Sequence, residues 1–270
     1  LTHGHSISFH QIMKFIQISD THLFGDAGKR LLGVDTAATL QAVVELIAEE
    51  EGVAGIIATG DISQDGSLKS YQRFDEMLRI PGVPVYWIPG NHDNSANFHQ
   101  LAPDFPLNSR SVIEAGRWRI LLLDSVIPGN DGGHLAETEL EYIEKNVDDN
   151  GLHYMLVLHH QPIPCGCSWL DTMILNNSAE FLSLISSKPA IRAVINGHIH
   201  QSNQQDIGGV SFISTPSTCF QFTPQTSQFS LDSRMPGYRR LSLNDDGSIE
   251  TEVVRVADFD LNLQQTESGY

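Results

Sequence analysis

Short apolar runs, each closed by polar residues, recur along the chain. "KFIQISD" (14–20) ends at Asp20, "AGIIATGD" (54–61) at Asp61, and "VPVYWIPGNHD" (83–93) at Asn91, His92 and Asp93. "WRILLLDS" (118–125) carries Asp124, "HYMLVLHH" (153–160) ends at His159 and His160, and "RAVINGHIH" (192–200) at His198 and His200. "GVSFIS" (209–214) follows them. Runs of this length, rich in Val and Ile, predict buried strands. Between them the apolar positions repeat at helical spacing. Leu40, Val43, Val44 and Ile47 predict a helix capped at Asp35 or Thr36 and stopped by Gly52. Tyr71, Phe74 and Leu78 predict a second, Leu140, Ile143 and Val147 a third, and Phe181, Leu182 and Ile185 a fourth.

Strands alternating with helices imply an α/β architecture. In such sheets the loops leaving the carboxyl ends of the strands converge on one crevice. The polar clusters are therefore expected to meet. One of them is ambiguous by itself: in "NGHIHQS" (196–202), His198 and His200 stand two apart. On an extended strand both side chains point the same way, so the pair can hold one ion, bridge two, or hold none.

At 270 residues, with no internal repeat or Pro/Gly/Ser linker, the chain reads as one catalytic domain over 13–257. A disordered leader (1–12) and a polar C-terminal tail (258–270) flank it. The leader "LTHGHSISFHQI" lacks the basic start and apolar stretch of a secretory signal, and its His3, His5 and His10 read as solvated. No run of 18 apolar residues predicts a membrane span. Cys165, Cys167 and Cys219 are sparse and odd in number, which suits a reducing cytoplasm and no disulfide framework. A net charge of −17 argues against a nucleic acid polymer as partner. It also means that an anionic substrate needs a local reversal of sign.

An Asp or His after a strand is, taken singly, more often a helix cap or a surface residue than a ligand. Here five clusters stand in order: Asp20-Thr-His22, Gly60-Asp61, Gly90-Asn91-His92-Asp93, His159-His160 and Gly197-His198-Ile-His200. This series resembles the ordered signature of the calcineurin-like metallophosphoesterase superfamily: D-x-H, G-D, G-N-H-[D/E], H, G-H-x-H. The resemblance implies a four-layer fold, two mixed β-sheets packed as a sandwich and flanked by helices. It implies that Asp20, His22 and His200 ligate one metal ion and Asn91, His159 and His198 a second, with Asp61 bridging. Neither His198 nor His200 then chelates alone; each completes one half of a pair.

The implied set of four imidazoles, two carboxylates and an amide has no thiolate, which favours Fe, Mn or Zn over Cu(I). Two divalent ions would outweigh Asp20 and Asp61, reversing the sign of the site inside an acidic protein. The expected reaction is in-line attack on phosphorus by a metal-bridging hydroxide, with His92 as general acid. Substrate contacts are expected from His22, Asp61, Asn91, His92 and His200. Asp65 and Asp93 are the alternatives for orienting His92, and His160 reads as a supporting residue rather than a ligand.

Departures narrow the substrate. "GDISQDGS" (60–67) lacks the arginine that protein Ser/Thr phosphatases carry there, and Gln64 replaces the tyrosine of purple acid phosphatases. The chain is instead similar to the bacterial class III 3′,5′-cyclic AMP phosphodiesterases. "LLGVDT" (31–36), "ATGDISQD" (58–65), "CSWLD" (167–171), "TPSTCFQF" (215–222) and "GYRRLSL" (237–243) carry that likeness. It implies hydrolysis of cyclic AMP to 5′-AMP by a monomer or homodimer with two divalent ions. Fe and Mn are favoured, with Zn, Mg and Co as alternatives. The competing readings are a broader phosphodiesterase taking 2′,3′-cyclic nucleotides or other small phosphoesters, and a non-catalytic scaffold. Trp169, Phe220 and Phe222 read as packing residues before base contacts. Thr215, Ser217 and Thr218 read as turn formers, and Asp131 and His134 lie in a loop bordering the site.

Overall fold

Each apolar run found in the sequence is a strand, and their order along the chain builds two sheets. In a computed structural model of the chain, residues 12–101 and 112–264 are described. Along them run β1 (Met13–Ile18), α1 (Thr36–Ala48), β2 (Val53–Thr59), α2 (Leu68–Leu78), β3 (Val85–Ile88) and α3 (Ser95–Leu101). Next come β4 (Ile113–Ala115), β5 (Trp118–Leu122), α4 (Glu137–Asn146), β6 (His153–Val157), α5 (Ser178–Ser186) and β7 (Ile191–Asn196). The chain continues through β8 (Asn203–Ile207), β9 (Val210–Ser214), β10 (Gln221–Phe222) and β11 (Leu231–Asp232), then β12 (Gly237–Leu243) and β13 (Ile249–Arg255).

The first sheet has the order β13-β12-β1-β2-β3 and the second β4-β5-β6-β7-β9-β8. In the first, β1, β2 and β3 are parallel while β12 and β13 run antiparallel. In the second, β5, β6, β7 and β9 are parallel, with β4 and β8 as antiparallel edges. Both sheets are mixed, as expected.

Period-two alternation in the second sheet sorts its side chains into two cores. Trp118, Ile120, Leu122, Met155, Val157, Ala193 and Ile195 join the first sheet in one buried cluster with α1 and α2. Leu121, Tyr154, Leu156 and Val194 point the other way, onto Ile143 of α4 and Phe181 and Ile185 of α5. The result is helices, sheet, sheet, helices: the expected four layers. Asp35 caps α1, accepting from the Ala38 N–H at 3.1 Å. That helix ends at Ala48, short of Gly52, which serves the turn into β2 with φ +69°.

A third, smaller core of Leu31, Val34, Cys167, Ile199, Cys219, Phe220 and Phe222 lies under the loops at the carboxyl ends of the strands. The stretch expected as a tail contributes to it. Leu261 is buried there with Phe259 and Leu263 packed alongside, and Gln264 N–H donates to Leu32 O at 2.8 Å. Its alternating apolar residues supply the reason. The leader, apart from Ile12, lies outside the described residues, with His3, His5 and His10. No described helix is long and apolar enough to cross a membrane.

Candidate active site

Parallel strands of both sheets end at the same edge, and the hydrogen bonds there stitch one sheet to the other. Gln17 Nε2 donates to Asn196 O at 3.0 Å, and His159 Nδ1 to Thr59 O at 2.7 Å. The Asp20 N–H donates to Gly60 O at 3.0 Å. Two glycines permit this closeness. A Cβ at Gly90 would stand 2.2 Å from Asp61 Oδ1, and one at Gly197 2.0 Å from Ser19 Oγ.

Contrary to the expectation from their spacing, His198 and His200 do not lie on an extended strand. β7 stops at Asn196, and both histidines take left-handed backbone angles, φ 69° and 48°. Asp20 (55°) and His22 (45°) repeat that geometry after β1, and Asp61 (50°) takes it after β2. These five are among eight non-glycine residues of this kind in the described chain. Such angles cost on the order of 1–2 kcal/mol each and cluster where function over-determines them. Two elbows, rather than two strand ends, aim the i, i+2 pairs inward. The middle residues point away: Thr21 Oγ1 donates to Ile62 O at 2.7 Å, and Ile199 enters the third core.

The ligand atoms of Asp20, His22 and His200 lie within 4.8 Å of one another, as do those of Asp20, Asp61 and His159. His22, Asp61 and His92 form another such group, and His159, His160 and His198 a fourth. Asp61 Oδ2 stands between the halves, 3.8 Å from His22 Nε2 and 3.3 Å from His159 Nε2. Asn91 Oδ1 is 3.1 Å from His159 Nε2, and His200 Nε2 is 3.6 Å from Asp20 Oδ1. The seven side chains expected as ligands therefore meet at one place.

The imidazoles are held from behind. His22 Nδ1 donates to Gln64 Oε1 at 2.7 Å, and His200 Nδ1 to Phe220 O at 2.9 Å. His159 Nδ1 is engaged by Thr59 O in the same manner. This is the arrangement that fixes a metal-binding histidine with Nε2 as the free lone pair. It leaves Nε2 of His22 and Nε2 of His200 facing each other at 3.2 Å. Burial lowers His22 to about 3 and holds His200 well below the ordinary histidine range, so neither bears a proton there. Two opposed lone pairs at that distance repel unless a cation lies between them. His198 Nε2 is also buried without a hydrogen-bond partner. The donor set fits divalent metal ions.

Charge points the same way. Burial pushes the Asp20 carboxyl up to about 7. At Asp61 burial is outweighed by His159 and His92, which hold its carboxyl well below the usual range. Despite its burial, Asp61 and Asp20 raise His159 to about 9. With no lysine or arginine among the described residues at this cluster, an imidazolium thus supplies the positive charge beside the carboxylates that a bound cation would otherwise supply.

His92 lies at the rim, its ring edge-on to His22 with centroids 5.0 Å apart, and its N–H donates to Asp61 Oδ1 at 2.9 Å. Asp93 accepts from the N–H groups of Ile62, Ser63 and Gly90 and from Tyr71 Oη, tying the second and third loops together. Asp65 serves Gly25, Ser63 and Ser67. His160 Nδ1 pairs with Ser125 Oγ at 2.8 Å.

The cluster opens on a cavity of about 360 Å³ lined by Asp61, Asn91, His92 and His198 on the polar side. Trp169, Met173, Phe222 and Phe229 line the remainder, with Asp131 at the edge. Trp169 packs edge-on to Phe222 and Phe229, and Phe220 is buried in the third core, as their packing readings expected. Ser217 Oγ donates to Asp20 O at 2.8 Å, which makes it a support for that elbow. His134 pairs with Asn176 at 2.7 Å. Gln64 and the Thr59 and Phe220 carbonyls are the contributors sequence reasoning missed. Only Gln64 left a signal, three positions after Asp61.

The sequence model of the calcineurin-like phosphoesterase family matches residues 13–202. The chain is 40% identical over 257 residues to the 3′,5′-cyclic adenosine monophosphate phosphodiesterase CpdA of Pseudomonas aeruginosa, covering 94% of each protein. It is also 40% identical over 261 residues to CpdA of Escherichia coli K12, covering 96% of this chain and 95% of that one. Among solved structures, a dimetal phosphatase from Danio rerio shares the fold with a TM-score of 0.65 at 16% identity, covering 91% of this chain and 99% of that one. With its ordered motifs, its two facing sheets and this shared length, the chain belongs to the calcineurin-like phosphoesterase family.

Proposed function

We propose that this protein hydrolyses 3′,5′-cyclic AMP to 5′-AMP at a dinuclear metal centre. The observation that carries the reading is the union of a metal-binding cluster with a cavity of nucleotide size. Identity over nearly the whole length of two cyclic AMP phosphodiesterases supports the substrate.

Asp20, His22 and His200 would hold one ion and Asn91, His159 and His198 the other, with Asp61 beside both sets. Ions bound there would supply an activated water and draw charge from the phosphoryl oxygens. The side chains do the rest. No lysine or arginine is among the described residues lining the cavity, so Asn91 and His92 are its neutralising donors beside the ions. Asn91 Nδ2 donates to a phosphoryl oxygen while its Oδ1 faces the centre. Water adds to phosphorus and releases a proton to solvent as the bond to the 3′-oxygen breaks, and His92 gives its proton to that oxygen. Asp61 lines the cavity at the same phosphate position, with His22 and His200 buried outside the lining. Fe and Mn suit this nitrogen-rich oxygen and nitrogen set, with Zn, Mg and Co as substitutes.

The test is a substrate panel on protein of measured metal content: cyclic AMP, cyclic GMP, 2′,3′-cyclic AMP and bis(4-nitrophenyl) phosphate. Cyclic AMP is expected to lead in kcat/KM, with 5′-AMP as the sole product. A 2′,3′-cyclic substrate leading by a wide margin would replace this reading with the broader phosphodiesterase.

A further inference from the structure

One cavity residue has no part in the chemistry above. Asp131 is exposed, lines the cavity, and its carboxylate makes no hydrogen bond or ion pair with the described residues. Its loop is nevertheless held firmly. Asn130 N–H donates to Ile127 O at 3.0 Å, and Gly132 N–H to Asn130 Oδ1 at 2.8 Å. His134 N–H reaches Ser125 O at 2.9 Å, and Asn176 N–H reaches Gly133 O at 2.8 Å. Gly133 presses so close to the buried His160 ring that a Cβ would come within 2.5 Å of it. The loop thus rests on the residue next to His159, and its position follows that of the metal cluster.

A carboxylate repels the phosphate, so any favourable contact it makes with a substrate is to a donor elsewhere on that substrate. Its location says which part. The loop runs beside the Met173 segment of the lining: a Cβ at Gly132 would lie 3.7 Å from Met173 Cα, and Gly133 forms a β-bridge with Leu175. The apolar portion of the lining is aromatic and braced: Trp169 stands edge-on to Phe222 at 4.9 Å and to Phe229 at 5.3 Å. Aromatic and thioether surfaces suit the flat face of a base, and a base seated there would have its edge within the same cavity as Asp131.

Resting on the proposed cyclic nucleotide reading, we infer that Asp131 accepts a hydrogen bond from the exocyclic 6-amino group of an adenine seated against Trp169 and Met173. It then sets the preference over guanine. Guanine presents a carbonyl at that position, and two acceptors face each other without a proton between them. A hydrogen bond to a charged group is worth about 10- to 100-fold in discrimination.

The experiment compares kcat/KM for cyclic AMP, cyclic GMP, the 3′,5′-cyclic phosphate of purine riboside, which lacks the amine, and 2′-deoxy cyclic AMP. Wild type, Asp131→Ala and Asp131→Asn are measured at matched metal content and circular dichroism. Wild type is expected to favour cyclic AMP over the purine riboside compound by about 10-fold or more. Asp131→Ala should bring that ratio close to unity, with Asp131→Asn between them because its amide oxygen still accepts. An unchanged ratio in Asp131→Ala, with cyclic AMP still hydrolysed, overturns the inference and leaves the function standing. Loss of discrimination against the 2′-deoxy compound instead would assign the carboxylate to the ribose and overturn the base contact. Wild type that cleaves bis(4-nitrophenyl) phosphate but no cyclic nucleotide removes the substrate reading and this inference together.

Discussion

The two halves of the proposed metal cluster are built differently. Asp20, His22 and His200 are buried, none of them lines the cavity, and His200 stacks on Phe222 with ring centroids 4.3 Å apart. Asn91 and His198 both line the cavity, and Asn91 is half-buried. The inner half is thus part of a packed core; in the outer half His159 and His198 are buried too, but Asn91 and His198 reach the cavity where substrate enters. Packing fixes ligands cheaply where nothing needs to pass; an open half must rely on its loops. On the proposed mechanism the inner ion is expected to exchange slowly and the outer one quickly.

On the proposed assignment Asp61 is common to both halves, so its loss should erase the distinction. Asp61→Ala should lose both ions on dialysis and at least about 10³-fold in kcat, measured by elemental analysis beside turnover. A full metal complement in that variant would remove Asp61 from the bridge. His92→Ala should act on chemistry alone. It should retain its metal and lose about 10²–10⁴ in kcat on a diester with a poor leaving group. If the loss persists undiminished on a nitrophenyl leaving group, which needs no proton, His92 is not the acid.

That these side chains converge was legible in the sequence, because each ordered motif follows a strand and the strands end at one edge. How they are aimed was not. Apolar periodicity located β1, β2 and β7, but it carries no mark of the left-handed elbows at Asp20, His22, His198 and His200. Strand alternation gave the right direction for His198 and His200 by the wrong route. The polar edge strands β8 and β13 escaped for a related reason: their residues are mostly half-buried or exposed, and no apolar run announces them. β12 was obscured by Arg239, a buried cation in mid-strand. Its guanidinium is satisfied by Ser214 O, Ser202 Oγ and Thr251 Oγ1, a solution visible only once β9 and β13 are in place. The supports of the imidazoles were equally hidden, since Thr59 and Phe220 act through main-chain carbonyls that every residue possesses.

The difference in packing gives the next test. His200→Ala removes a ring wedged against Phe220 and Phe222, so it should destabilise the metal-stripped protein by about 2–4 kcal/mol as well as lose the inner ion. His198→Ala, at the cavity wall, should lose the outer ion with a much smaller change in metal-stripped stability. Denaturant melts of both variants after exhaustive chelation decide this. Equal destabilisation would mean that the outer half is as much a part of the core as the inner.

The smallest expected effect is also the most selective. Gln64 touches only the inner half, through its Oε1 on His22 Nδ1 at 2.7 Å, and its own N–H is held by Leu23 O at 2.9 Å. Gln64→Ala frees the His22 ring to rotate and to shift its proton to Nε2, while the surrounding backbone stays tied. Loss of such a partner costs about 10- to 100-fold in metal affinity. Chelator competition with cobalt or manganese should resolve a weak and a strong ion in that variant, with kcat at saturating metal close to that of wild type. Gln64→Glu, which keeps an acceptor facing Nδ1, should recover the inner affinity. If Gln64→Ala instead weakens both ions equally, the halves do not bind independently, and Asp61 couples them more tightly than their separate packing suggests.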